Sequence, residues 1–314
     1  MSIEKTVLVI GGGSLGLYIA GRLSLAGKPV TVAQRNGAAA QDAGITAEGD
    51  EHWQAPQVRY TPFDELQGPF AQVVVAVKSH DLDELLPRLV ELGNADTEYL
   101  FLQNGIPWWW SHRDGEISGA PLLARTVAVI VHHAVERIAP GRIRVRRTGN
   151  DRYICARIQG QPDAPLQALV AEWHQAGIAA VSSADIRREV WTKLMGNATL
   201  NPLSAITGAT TGALARTPHT RSVLLAGMTE IFRLAELDGC TLSTTPEVRV
   251  QRAEEVGETR TSMLQDRLAG RRLETQALLA VPIAIAERHG EPVPVLRTLL
   301  GCLVFAQADA GRAQ

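Results

Sequence analysis

Gly11-Gly12-Gly13-Ser14-Leu15-Gly16 is a GxGxxG frame set directly after the apolar run Thr6 to Ile10 and opening a helical pattern. Each glycine has a physical task in such a frame: Gly11 allows the tight turn, Gly13 lets a pyrophosphate approach the backbone, and Gly16 permits close packing of helix on strand. Free N–H groups at the helix start then hold the phosphates. A glycine-rich turn with a purely structural job is the competing reading, and the agreement of strand, helix and N-terminal position disfavours it. About twenty residues further on, an NAD-preferring site places an acid against the ribose 2′-hydroxyl. This chain has Gln34 and Arg35 there. An acid repels a 2′-phosphate, whereas a guanidinium holds it with a forked, charge-assisted pair. The pattern therefore predicts NADP(H) over NAD(H), against the plainer alternative of a surface arginine in a loop.

Two further polar elements follow strands at their carboxyl ends, where open α/β sheets bind ligands: Lys78 after Gln72 to Val77, and Asn104-Gly105 after Tyr99 to Leu102. Taken alone, an Asn-Gly pair is usually a turn, and a lysine past a strand usually faces water. In the second half, Lys193, Asn197 and Asn201 recur every four positions, which stacks them along one helix face. Asparagine is a poor helix former, and the flanking Leu194, Met195, Ala198 and Leu200 read as buried. A solvated stripe would favour Glu, Lys and Gln instead. Pro202 is expected to pull Asn201 out of regular helix and aim it differently from its neighbours.

The elements that must carry these residues divide the chain in two. Thr6 to Ile10, Val30 to Ala33, Gln72 to Val77, Tyr99 to Leu102 and Arg125 to Val131 read as strands, several of them continuously apolar as parallel strands covered on both faces should be. Helical patterns at Leu15 to Ala26 and Leu82 to Leu92, each closed by a glycine, lie between them. Strands at Arg142 to Val145, Tyr153 to Ile158 and Ala179 to Val181, with a helix at Pro165 to Ala176, would extend or edge the sheet. From about Asp185 the pattern turns helical: Asp185 to Leu200, Arg221 to Asp238, Pro246 to Gly257, Thr275 to Gly290 and Pro294 to about Ala308. The expected organisation is an α/β N-terminal Rossmann-type domain over 1–183 and an all-α C-terminal domain over 184–314. No internal repeat appears, and the only low-complexity tract is Ala38-Ala39-Ala40.

With these motifs in hand, the chain resembles the ketopantoate reductase (2-dehydropantoate 2-reductase) family across essentially its whole length. The matching pieces are Gly11 to Gly16, Arg35, Lys78, Gln103-Asn104-Gly105, Trp191 to Pro202, and Thr261 to Asp266 followed by Gly270-Arg271-Arg272-Leu273-Glu274. The resemblance implies a Rossmann domain bearing NADPH, a helical C-terminal domain, and reduction of a branched 2-oxo acid in the cleft between them. It implies Lys193 as proton donor and substrate contact, Asn197, Asn201 and Ser262 as substrate contacts, Lys78, Asn104 and Glu274 as cofactor-side contacts with Asn104 also reaching substrate, and Ala134 as a backbone contact to the cofactor. In that chemistry hydride reaches the keto carbon while a nearby ammonium stabilises the developing oxyanion and gives up a proton. Three departures concern the substrate end: Gln276 where many members have an acid, Leu279-Ala280 where they have Asn-Gly, and Thr211 where some have an asparagine.

Composition removes other classes. The 314 residues suffice for two domains, and 31 basic against 33 acidic residues give a formal charge of −2, so no bulk field selects nucleic acid or an anionic membrane. No apolar run reaches the roughly 18 residues of a membrane span, and Thr6 to Ile10 is too short for a signal-peptide core. The expectation is a soluble, cytoplasmic protein, and a homodimer is compatible with it. Cys155, Cys240 and Cys302 are odd in number and widely spaced, which predicts buried thiols and no metal site. His132 and His133 lack the partners of a metal site or triad, and no GxSxG, HExxH or Walker sequence occurs. Arg142, Arg144 and Arg146 read as the solvated face of a strand. Trp108 to Trp110 are open to three readings: a lid, packing under the sheet, or contact with a partner subunit. The leading functional reading is reduction of ketopantoate to (R)-pantoate, ahead of reduction of another branched 2-oxo acid and of an NADP(H)-sensing protein without turnover.

Overall fold

A computed structural model describes residues 6–35, 41–111 and 121–312; Ala38 to Ala40 lie outside the described residues. The chain divides into two compact units, one drawn from Met1–Gln103 and Trp109–Ile186, the other from Asn104–Trp108 and Arg187–Gln314. The first is mixed α/β and the second helical, as the sequence pattern requires.

The α/β unit contains β1 (Val7–Ile10), β2 (Val30–Gln34), β3 (Gln41–Gly49), β4 (Trp53–Pro62), β5 (Gln72–Val75), β6 (Glu98–Phe101), β7 (Thr126–His132), β8 (Ala134–Ala139), β9 (Arg142–Arg146), β10 (Arg152–Arg157) and β11 (Ala180–Ser182). Its helices are α1 (Ser14–Leu25), α2 (Leu86–Leu89), α3 (Pro121–Ala124) and α4 (Ala164–Gln175). The strands form one sheet in the order β11-β10-β7-β6-β5-β1-β2-β4-β3-β9-β8. The central pairs β2/β1, β1/β5, β5/β6 and β6/β7 are all parallel. Every residue of β1, β5 and β6 is buried, which is why residues 7–10, 73–75 and 99–101 read as apolar runs, while Gln72 and Glu98 at the strand starts are buried with hydrogen-bonding partners. On α1, Leu17, Ile19, Ala20 and Leu23 join the core of this sheet, together with Leu166, Leu169 and Trp173 of α4.

Three strands were not expected. β3 is rich in Ala, Gly and acidic residues, and β4 contains Pro56, so neither carries a strong strand signal. They pair antiparallel with a register shift between Ala43 and Ile45, opposite the stretch Ala55 to Val58 that holds Pro56. A bulge there is what lets a proline sit inside a paired strand. β8 alternates weakly and lies at the sheet edge. The helix expected at Leu82 to Leu92 is broken into 3-10 turns around the four-residue α2, because Pro87 cannot donate inside a helix and is tolerated only in its first turn.

The helical unit comprises α5 (Ile186–Thr207), α6 (Thr211–Arg216), α7 (Pro218–Leu237), α8 (Pro246–Val256), α9 (Ser262–Leu268), a π-helical turn at Gln276–Ala280, α10 (Val281–His289) and α11 (Pro294–Arg312). α5 corrects one expectation: it runs through Pro202, so Asn201 stays in helical register. An interior proline costs about 3 kcal/mol, and burial of Leu200, Leu203 and Ala205 around it supplies the offset. The helix ends after Thr207, where Gly208 (φ +74°) returns its N–H to Ser204 at 2.9 Å and the Arg267 guanidinium caps the Ala205 and Ile206 carbonyls. The N-terminal end of α5 is tied to the end of α7 by Trp191 Nε1 donating to Asp238 Oδ2 at 3.1 Å. Among the cysteines, Cys155 and Cys240 are buried but Cys302 is exposed on α11, contrary to the expectation of three buried thiols.

Candidate active site

In the α/β unit the glycine turn has the shape that phosphate binding requires. Gly11 runs at φ +113°, and a Cβ there would stand 2.7 Å from the Ala76 carbonyl carbon, so the turn lies flat on the end of β5. A Cβ at Gly16 would fall on the Gly11 carbonyl oxygen, which fixes how closely α1 approaches β1. At Gly12 and Gly13 a Cβ would meet nothing within 4 Å. The backbone there is open to an approaching group, followed by Ser14 and Leu15 in a helix start with no acidic residue in its first turn. These residues fit a dinucleotide's phosphates on steric and electrostatic grounds.

Arg35 follows the last residue of β2 and is exposed. Lys78 is half-buried past the end of β5 and precedes a 3-10 turn. Gln103, to which sequence reading gave no role of its own, is buried, and its Nε2 donates to the carbonyls of Val75 and Val77, each at 3.1 Å. It thereby braces the strand end on which Gly11 rests. Ala134 opens β8 beside His133, whose ring packs edge-on to Tyr18 of α1 at 4.6 Å and meets the Tyr153 hydroxyl at 2.9 Å. His133 and Tyr153 thus belong to an aromatic cluster, where burial holds the imidazole below its ordinary pKa. Trp109 and Trp110 are buried, and among the described residues no His/Cys/Asp/Glu cluster suits a metal.

In the helical unit, residues far apart in sequence converge. The Lys193 Nζ on α5 donates to Asn104 Oδ1 at 2.6 Å. An ammonium only donates, so this contact fixes the amide's orientation and turns the Asn104 Nδ2 donors away from the lysine. Desolvation pulls the Lys193 pKa down to about 8, and the Glu274 carboxylate acts in the opposite direction. The result is an ammonium that can release a proton near neutral pH.

Asn197 lies one turn along α5, half-buried, and Asn201 one turn further, buried. Ser262 is exposed at the first position of α9, whose N-cap is the Thr261 hydroxyl accepting from Leu264 N. The structure brings Asn104, Lys193 and Glu274 together and puts the two asparagines on successive turns of the lysine's own helix. Among the described residues no hydrogen bond joins the Ser262 side chain to them. Thr211 donates its hydroxyl to the Gly257 carbonyl at 3.1 Å, so its side chain is engaged in packing α6 against the end of α8. Leu279 is fully buried and Gln276 exposed.

A Rossmann-type turn in a parallel sheet, with a poised lysine on a helix of the second unit, is the equipment of a nicotinamide-dependent oxidoreductase. Residues 7–157 match the model of the ketopantoate reductase PanE/ApbA family, and residues 185–307 match that of its C-terminal domain. The chain is 31% identical to a 2-dehydropantoate 2-reductase of Mesorhizobium japonicum, over 97% of this chain and 98% of that one. Among solved structures, a dimeric ketopantoate reductase from Staphylococcus aureus shares its fold with a TM-score of 0.77 at 22% identity, covering 97% of this chain and 99% of the other. D-mandelate dehydrogenase with NADH and anilino(oxo)acetate does so with a TM-score of 0.81 at 18% identity and the same coverage. The chain belongs to the ketopantoate reductase family.

Among the described residues no helix is long and apolar enough to cross a membrane.

Proposed function

We propose that this protein reduces 2-dehydropantoate (ketopantoate) to (R)-pantoate with NADPH, in pantothenate synthesis in the cytoplasm, and that Lys193 is the proton donor. The observation that carries the reading is the half-buried Lys193, whose ammonium donates to Asn104 and whose pKa desolvation lowers to about 8. The proposed division of labour assigns residues 1–183 to NADP(H) and 184–314 to substrate and catalysis. Gly11 to Gly16 would hold the pyrophosphate and Arg35 the 2′-phosphate, with Lys78, Asn104, Ala134 and Glu274 completing the cofactor contacts. Bound there, the reduced nicotinamide supplies hydride to the keto carbon.

The chain's own residues do the rest. Lys193 donates a hydrogen bond to the keto oxygen, stabilises the negative charge that develops on it and releases its proton there. Glu274 favours the charged form of the lysine before reaction. Asn104 Nδ2, Asn197, Asn201 and Ser262 offer neutral donors to a carboxylate and a hydroxyl without adding charge that would lower the lysine pKa further. A homodimer is the assembly proposed, as for the Staphylococcus aureus relative, and light scattering tests it.

The test is a panel of 2-oxo acids, with NADPH consumption followed by absorbance and the product stereochemistry determined. Because the hydroxyl-binding residues are all present, ketopantoate should exceed its deoxy analogue 2-oxo-3,3-dimethylbutanoate by at least about tenfold in kcat/KM, the scale of one unmatched buried hydrogen-bonding group. Equal or better use of the deoxy acid overturns the pantoate assignment and leaves reduction of another branched 2-oxo acid. Absence of turnover with every member, with NADPH still bound, leaves the NADP(H)-sensing reading.

A further inference from the structure

The Ala277 carbonyl cannot be satisfied within its own helix. In the π-helical turn Gln276–Ala280, the Val281 N–H donates to the Gln276 oxygen, five residues back. The next donor in that register would be residue 282, which is proline and has no N–H. The Ala277 oxygen is taken instead by the backbone N–H of Ile106 at 2.9 Å. One residue before, Gly105 runs at φ +84°, and a Cβ there would stand 2.5 Å from the Ala277 carbonyl carbon. Only glycine permits both the conformation and the approach.

This docked backbone is the segment that presents Asn104, whose Oδ1 receives the Lys193 ammonium at 2.6 Å. On the other side of the contact, Glu274 lies three residues before Ala277, and its carbonyl accepts from Leu278 N at 3.3 Å at the entrance to the turn. Both groups that favour the charged lysine are therefore anchored to one turn of backbone.

We propose that Pro282 and Gly105 are positioning residues for Lys193: Pro282 leaves the Ala277 carbonyl open, and Gly105 lets the Asn104–Ile106 backbone dock on it, which fixes Asn104 against the lysine. The proposal rests on Lys193 being the proton donor. Neither residue touches the reacting atoms. Their effect passes through the Asn104 carbonyl, which favours the ammonium over the neutral amine.

The sequence holds four lysines, so their side-chain resonances can be followed individually in full-length, isotope-labelled protein. Pro282→Ala returns a donor that competes for the Ala277 carbonyl, and removing a proline from a helical segment keeps the fold accessible. Gly105→Ala blocks the docking from the other side, and Asn104→Ala sets the size of the full effect. In Pro282→Ala the Lys193 titration midpoint should fall by about half a pH unit or more. The alkaline limb of kcat should move the same way and kcat should drop roughly three- to tenfold, with the KM for NADPH held within about twofold. Gly105→Ala should do the same or more.

A Lys193 midpoint unchanged from the unmodified protein in Pro282→Ala overturns the proposal, whatever Gly105→Ala does to the fold. If the unmodified protein turns over no 2-oxo acid, the functional reading fails separately, and the resonance titration still decides the positioning role.

Discussion

The glycine turn and the lysine site are built by opposite means. Gly11 to Gly16 are consecutive, and their geometry follows from what a Cβ would strike or miss: forbidden at Gly11 and Gly16, free at Gly12 and Gly13. The lysine site draws on Asn104, Lys193 and Glu274, and the property that matters, a pKa near 8, arises because desolvation lowers it against the opposing pull of the Glu274 carboxylate. A local backbone device can be read from six letters. A desolvated charge is a property of everything around it.

Removing the lysine and removing the cofactor-side arginine should therefore fail differently. The largest effect is expected for Lys193→Ala, which should lower kcat roughly 10²- to 10⁴-fold while NADPH binding, followed by fluorescence, stays nearly unchanged. Near-normal turnover with the best 2-oxo acid would remove Lys193 as the acid. Arg35→Ala should do the reverse, sparing kcat at saturating cofactor and erasing most of the preference for NADPH over NADH. That loss should amount to about ten- to a hundredfold, as for one charge-assisted contact to phosphate. Equal affinity of the unmodified protein for the two cofactors, measured in the same titration, would sink the assignment.

Within the turn the comparison can be sharpened by steric placement. Gly16→Ala pushes a Cβ into the Gly11 carbonyl and should destabilise the α/β unit by about 1–3 kcal/mol in denaturant unfolding, the scale of overpacking. Gly12→Ala enters open space and should leave unfolding unchanged while weakening NADPH binding. Identical unfolding curves for both variants would contradict the steric account.

The lysine site makes a pH prediction with two signs. The folded pKa of about 8 lies below the ordinary 10.5, so between those values the unfolded chain binds a proton that the native state does not. Stability contributed by this group therefore rises as pH climbs through that window, whereas turnover falls, because the neutral amine cannot donate. Lys193→Met should flatten that rise in stability, measured by denaturant titration across the window. The smallest effect is expected toward the β8 edge of the sheet: Glu48 pairs with Arg142 at 2.9 Å and Arg144 at 2.7 Å on the solvated face of β9, and Glu48→Ala should leave the melting temperature and kcat unaltered.

Legibility followed the range of the interaction that fixes each element. The parallel strands β1, β2, β5, β6 and β7 were readable because burial on both faces writes an apolar run into the chain. β3 and β4 were not, since a strand bearing Gly44 or Pro56 is stabilised by its neighbours' ladder and a bulge and not by its own propensities. Pro202 misled for the same reason: its local preference ends a helix, while packing around Leu203 and Ala205 continues it. Pro282 interrupts the apolar stretch Leu278 to Ala286. Its consequence, an open carbonyl at Ala277 filled by Ile106 from across the fold, carries no signal in the nearby letters.

The sequence by itself determined the two-part architecture, the phosphate-binding turn, the arginine after β2 and the four-residue spacing of Lys193, Asn197 and Asn201, because each depends on short-range periodicity, on glycine's missing Cβ or on fixed side-chain charge. Only the tertiary structure decided that Asn104 meets Lys193, that partial desolvation pulls the lysine pKa down to about 8, and that a π-helical turn receives the Asn104–Ile106 backbone. Those facts depend on which segments pack together and how much solvent they exclude, and free energies of that kind belong to the folded ensemble of contacts and not to any window of residues.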